Sequence, residues 1–243
     1  MESEIPEISL LQLLVAFVPV AVAIALLVRY SLGAWNGLYA TARMLIQLLV
    51  IGYVLTYIFN TDQPYIVLVV MVVMMAAASW IALRPLGRRT PSRYAIAFAA
   101  VAVSGSLTLA LVSQGVLSLD PWYDPRYVIP LGGMIFSAAM NAVSLAAERY
   151  DAELATGTAF DEAVRTALNA ALIPQVNTLF AVGLVALPGM MTGQILAGVE
   201  PMIAVRYQIV VMCMLFGVTA FSAAAYLVLA GRFAAATAHG RAA

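Results

Sequence analysis

The sequence predicts an all-α polytopic integral membrane protein with about seven transmembrane helices. Three observations predict it. Of the 243 residues 64% are hydrophobic and only 10% charged, with a mean hydropathy of +0.97. An ordinary soluble domain carries roughly a quarter charged residues, and its core cannot hide that much apolar surface, because much of a chain this size must face water. Second, the apolar residues gather into seven stretches long enough to span a bilayer, at about 8–28, 43–59, 64–83, 94–117, 128–147, 173–190 and 207–230. Third, the arginines fall almost entirely on one side of these stretches. A soluble globular protein, a disordered tail and a disulfide scaffold are excluded, and residues 1–243 read as a single transmembrane domain.

The first stretch, 8–28, follows Glu2, Glu4 and Glu7, where a cleavable signal peptide would be basic. The second, 43–59, starts at Arg43 after a polar loop, 29–42, and stops at the turn formers Asn60, Thr61, Asp62, Gln63 and Pro64. The third, 64–83, leads to a loop carrying Arg84, Arg88, Arg89 and Arg93. The fourth, 94–117, ends before a second turn, Asp120 to Pro125, whose Trp122 and Tyr123 suit the membrane interface. The fifth is 128–147. The loop after it carries an amphipathic helix at about 158–172. There Phe160, Val164, Leu168 and Leu172 recur every four residues, with Asp161, Glu162, Arg165 and Asn169 off that stripe. Gly157 breaks the chain ahead of it, and Thr158 with Asp161 supplies a cap. Its polar face is net acidic, which favours a protein partner over anionic headgroups. Pro174 then opens the sixth stretch, and the seventh follows.

Orientation comes from the arginines. If the spans alternate, ten of the twelve lie on one side, and only Arg126 and Arg206 on the other. The arginine-rich side is the cytoplasmic one. The N-terminus is therefore expected outside, and the C-terminus in the cytoplasm.

All 12 basic residues are arginine, and no lysine occurs anywhere. A P-loop needs its lysine on the phosphates, so any ATP used must be bound, with its Mg, by another polypeptide. Cys213 is the only cysteine and His239 the only histidine, which excludes an intrachain disulfide and a histidine-rich metal centre. Twelve basic residues balance twelve acidic ones, so nothing points to nucleic acid.

Several polar groups inside the spans need partners or water. Arg43 and Gln47 are one turn apart. Ser137, Asn141 and Ser144 share one face of the fifth span, where Asn141 reads as a buried amide, and Gly133 extends that face as a small-residue stripe. Gln175 and Asn177 open the sixth span. The run Leu187 to Gly198 is broken by Pro188, Gly189, Gly193 and Gly198, and it carries Met190, Met191, Thr192 and Gln194. Broken backbone at membrane depth is tolerated only beside a cavity or against protein. These groups either bond neighbouring helices or line a transport pathway. The twelve methionines, with clusters at Met71, Met74 and Met75 and at Met190 and Met191, either fill packing gaps or offer soft sulfur to a metal.

The segments Arg43 to Leu48, Gly133 to Arg149, Leu187 to Gly198 and Ala204 to Ile209 carry a resemblance. Over about residues 10–232 the chain resembles the bacterial iron-export ABC permease family of the FetB type, to which plant aluminium-tolerance half-transporter permeases are related. The resemblance implies a bacterial inner-membrane permease without its own nucleotide site. It implies a separate ATP-binding cassette subunit as partner and a second copy of the permease. It also gives the 158–172 helix the role of a coupling helix, with Phe160, Asp161, Glu162, Val164, Arg165 and Leu168 at the ATPase. The substrate implied is iron, another metal or a metal complex.

A self-contained secondary transporter or channel is the competing reading. It commonly carries embedded Asp, Glu or His, whereas here each acidic residue maps to a loop or span end. A membrane enzyme would need a cluster of acid–base or nucleophilic side chains, and the sequence offers none.

Overall fold

The computed structural model describes residues 8–59, 63–87 and 89–242, with side chains to Phe233. Glu2, Glu4, Glu7, Asn60, Thr61, Asp62 and Arg88 lie outside the described residues, as do the side chains of His239 and Arg241. Among the described residues every element is helical, apart from one isolated bridge between Val182 and Ala186. Contacts divide the chain into two compact units, Met1–Thr61 and Asp62–Ala243.

The first unit holds α1 (Leu10–Val15), α2 (Val18–Arg29) and α3 (Ala34–Ile58). Ser9 caps α1 reciprocally with Gln12: the Ser9 hydroxyl accepts from the Gln12 amide, and the Gln12 side chain accepts from the Ser9 amide. Most of the expected loop 29–42 is helix. Only residues 30–33 connect α2 to α3, with Gly33 at φ +71°, because Ala34 to Ala42 contains no proline and no charge to stop a helix. Gly37 lets α2 approach, since a Cβ there would lie 2.9 Å from Leu27 Cδ1. Ile58 alone is buried among this unit's described residues. Helices apolar on every side and uncovered by protein belong in lipid.

The second unit holds α4 (Pro64–Ala82), α5 (Pro91–Ala110) continuing as a π segment (Leu111–Val116), α6 (Pro125–Ala155), α7 (Phe160–Ala181), α8 (Gly189–Leu196) and α9 (Pro201–Ala242). Proline occupies the first position of α4, α5, α6 and α9, where its missing N–H costs nothing. α6 is the hub and packs on α4, α5, α7 and α9. Close approach rests on small residues, because lipid supplies no hydrophobic drive between helices. A Cβ on Gly105 of α5 would lie 2.7 Å from Phe136 Cε1, and one on Gly132 of α6 would lie 2.8 Å from Met71 Sδ. Hydroxyls within the bundle bond the carbonyl one turn back: Ser79 to Met75, Ser104 to Ala100, Thr108 to Ser104 and Ser222 to Val218.

Among the described residues six helical stretches are long and apolar enough to cross a membrane: Leu10–Arg29, Ala34–Ile58, Pro64–Ala82, Pro91–Val116, Pro125–Ala155 and Pro201–Phe233. The expected sixth span, 173–190, is not one of them. Nor is 158–172 a separate surface helix. α7 runs unbroken from Phe160 through Pro174 to Ala181, joining the amphipathic helix to the first half of that span. Pro174 leaves α7 continuous, and Thr178 Oγ1 bonds its carbonyl at 2.8 Å. The N-cap is Ala159 rather than Thr158, whose hydroxyl bonds Glu153 instead.

α7 and α8 still traverse the bundle. Phe160 starts beside Tyr150 of α6 and Gly231 of α9. Met190 and Gln194 of α8 share a cavity with Leu131 of α6 and Tyr207 of α9. Leu131 and Tyr150 are separated along α6 by about 28 Å at 1.5 Å per residue, close to the hydrocarbon thickness of a bilayer. α7, at 22 residues, is long enough to cover that distance by itself, although it is not among the six apolar stretches.

Candidate functional site

The loop between α7 and α8 has a local cause. Val182 is extended, Gly183 takes φ +84°, and the Gly183 amide bonds the Ala186 carbonyl at 3.0 Å, closing a tight turn. Gly supplies the left-handed conformation that a branched residue would resist. Leu184 and Val185 at the turn's tip are 90% and 85% exposed, so the tip is an uncovered apolar knob. Pro188 then caps α8, and Thr192 Oγ1 bonds its carbonyl at 3.2 Å. A Cβ on Gly189 or Gly193 would meet open space. The GxxxG spacing thus seats no helix within this chain.

α8 closes one side of a cavity of about 300 Å³, lined among others by Leu117, Tyr127, Leu131, Met190, Gln194 and Tyr207. Its wall is largely apolar. The Gln194 Oε1 is buried and has no hydrogen-bond partner among the described residues. An unpartnered buried amide oxygen costs about 1–3 kcal/mol, and a ligand or water donor in the cavity relieves that cost. Met191 and Thr192 are half-buried behind it. Tyr127 and Tyr207 escaped the sequence reading, although their positions near span ends were a usable signal.

Ser137 and Asn141 do not line this cavity. They lie on the one exposed stripe of the otherwise buried α6, and Ser144 is half-buried beside it. Asn141 was expected as a buried amide, and within a single chain it is exposed. Ser137 Oγ satisfies itself on the Met134 carbonyl at 3.0 Å. The Asn141 carboxamide sits about 24 Å from the start of a 31-residue helix, near the middle of the span. Lipid cannot hydrate it there. On α7, Asn177 is exposed, while Gln175 is half-buried with its Nε2 unpartnered among the described residues. Arg43, half-buried, and Gln47, exposed, stand one turn apart on α3 of the first unit.

At the opposite end of the bundle, the turn between α6 and α7 is stitched through Glu153. Its Oε1 pairs with Arg149 at 2.5 Å, its Oε2 accepts from Thr158 at 2.9 Å, and its carbonyl accepts from Thr156 Oγ1 at 2.8 Å. Gly157 supplies φ +83°. Asp161 and Glu162 occupy the first turn of α7, where negative charge complements the helix dipole. The side of α7 that packs inward is Ala163, Ala167 and Ala171, one step from the predicted stripe. Val164 and Leu168 are half-buried, Phe160 and Arg165 exposed. Phe160 meets Tyr150 edge-on, with ring centroids 6.2 Å apart, and covers Gly231.

Methionines here fill space. Met71 and Met74 lie over Gly132 and Gly133 of α6, and Met75 Sδ accepts from Ser106 Oγ at 3.8 Å. Among the described residues no three His, Cys, Asp or Glu side chains gather into a metal-binding group.

Residues 10–234, nearly the whole chain, match the Uncharacterised protein family UPF0014. The chain belongs to this family. Over 200 residues it is 36% identical to a UPF0014 membrane protein of Synechocystis sp., covering 73% of this chain and 77% of that one. It is 34% identical over 200 residues to the probable iron export permease protein FetB of Escherichia coli, covering 76% of each. The UPF0014 membrane protein STAR2 of Oryza sativa is 34% identical over 231 residues, covering 88% of this chain and 80% of that one. No solved structure matches. Family membership and the six apolar helical stretches make this a multi-pass membrane protein.

Proposed function

We propose that the chain is the transmembrane subunit of an ABC transporter, powered by a separate ATP-binding cassette subunit that binds ATP and Mg. Two copies would pair in the bacterial inner membrane and export iron, another metal or a metal complex. The substrate class follows the relationship to FetB, named as a probable iron export permease.

Asn141 is the observation that carries the paired, pathway-forming reading. An exposed carboxamide at mid-span needs water or a protein partner. A cavity shared by two copies supplies both, with Ser137 and Asn141 on its wall. Ser144 and Asn177 are proposed as further polar groups of that pathway, and the segment Pro188 to Gln194 as its outer gate. The wall offers amides and hydroxyls rather than carboxylates, which suits a metal held in a complex better than a bare hard cation.

The ATPase would dock on the α6–α7 turn and the start of α7. Phe160, Val164 and Leu168 provide the apolar contact, and Asp161, Glu162 and Arg165 the rim. The arginine bias supports a cytoplasmic α6–α7 turn and C-terminus and an outside N-terminus.

Co-purification with candidate ATPases, followed by ATP hydrolysis in liposomes, tests this reading. A stable complex whose hydrolysis rises with a transported metal complex supports it. Transport of the same solute by the chain alone, driven by an ion gradient, overturns it in favour of a secondary transporter.

A further inference from the structure

Arg93 and Asp151 form the one ion pair that joins two distant helices among the described residues. Arg93 Nη1 reaches Asp151 Oδ2 at 2.5 Å and Nη2 reaches Oδ1 at 3.1 Å, so the guanidinium grips the carboxylate with both arms. Bidentate pairing fixes direction as well as distance. Each side chain is about one-third exposed, at 33% and 34%. Simple charge neutralisation at a helix end would not need this geometry, and an exposed pair adds little stability.

The surroundings give the pair a mechanical meaning. Asp151 follows Tyr150, whose ring meets Phe160 of α7, and Phe160 covers Gly231 of α9. Two residues later Glu153 holds the α6–α7 turn rigid. The end of α6 is thereby fastened to α7 and α9 by packing and to α5 by the ion pair. From Arg93, α5 runs on through the π segment to Leu117, which lines the outer cavity beside Gln194. A helix carries displacement along its axis, and π segments are frequent at functional sites.

We propose that Arg93 and Asp151 are positioning residues: they tie the α6–α7 turn to α5, so that a partner moving the turn reshapes the outer cavity through α5. The inference rests on the permease reading above, which places the ATPase at that turn.

The test uses the full chain with its ATPase, in a Cys213→Ser background with Leu117→Cys as reporter. The probe is a small hydrophilic maleimide, and the quantity read is the ratio of labelling rates with and without ATP. Asp151→Asn and Arg93→Gln are expected to bring that ratio about fivefold closer to one, while the ATPase still co-purifies. Arg93→Lys, keeping the charge but not the fork, is expected to fall between. The exchange Arg93→Asp with Asp151→Arg is expected to recover most of the ratio, and the single variants are expected to keep the wild-type melting temperature in detergent, which a merely stabilising pair would not allow. A ratio unchanged in Asp151→Asn overturns the strut, as does a charge exchange no better than the single variants. A wild-type chain that captures no ATPase overturns the permease reading itself, and the strut with it.

Discussion

Asn141 shows how one side chain can separate two environments. If it faced lipid, replacement by leucine would be favourable, because an amide in hydrocarbon is costly. If it faces a wet cavity between two copies, a cysteine there will meet water. Asn141→Cys or Ser137→Cys, in a Cys213→Ser background, should react with hydrophilic thiol reagents, and the rate should change when ATP is bound. Complete protection in every nucleotide state would make these residues packing contacts. Gly105 tests the packing at the same scale. Its Cβ would lie 2.7 Å from the Phe136 ring, and α6 and α5 are both buried there. Gly105→Ala should cost about 1–3 kcal/mol, read as a lower melting temperature in detergent. Gly52, where a Cβ meets nothing within 4 Å, should tolerate the same change with little loss.

The informative elements are the two that the sequence reading divided wrongly. Hydropathy splits 158–190 at Pro174, because the first half is charged on one face and the second is apolar. Helix formation follows backbone geometry and neighbours, and α7 continues through the proline to Ala181. What stops it is Gly183 at φ +84°. Gly183→Ala should therefore strain the turn by about 1 kcal/mol or more. That should show as faster proteolysis at the exposed tip carrying Leu184 and Val185, rather than as global unfolding. The α6–α7 turn carries the other element-scale prediction. Phe160→Ala should weaken capture of the ATPase by about 2 kcal/mol, roughly thirtyfold, if Phe160 is the anchor. The same change should leave membrane insertion intact. Unaltered capture measured against wild type would remove Phe160 from the docking surface.

At the scale of the whole molecule the question is parity. Six helices qualify as spans by length and composition, and six crossings would put both termini on one side. α7 and α8 run from the Tyr150 end of α6 to its Leu131 end, and a seventh crossing there is the prediction. Reporter fusions at residue 120 and at the C-terminus should accordingly report opposite sides of the membrane. The same side for both would mean that α7 and α8 enter and leave by one face.

The membrane class, six of the seven expected apolar stretches and the arginine asymmetry were written in composition and local pattern. They depend on how each residue partitions between water and lipid, a property that each segment carries by itself. The missing lysine likewise needed no coordinates. What only the tertiary structure decided depends on neighbours distant in the chain. The exposure of Asn141 is set by which face of α6 its partner helices cover. The use of Gly105 and Gly132 is set by which side chains lie opposite. The Arg93–Asp151 pair joins residues 58 apart in sequence, and no periodicity links them. Opposite charges at two span ends were visible, but their pairing came from the packing of α5 against α6. That packing follows from the shapes of many side chains at once, which no single stretch of sequence contains.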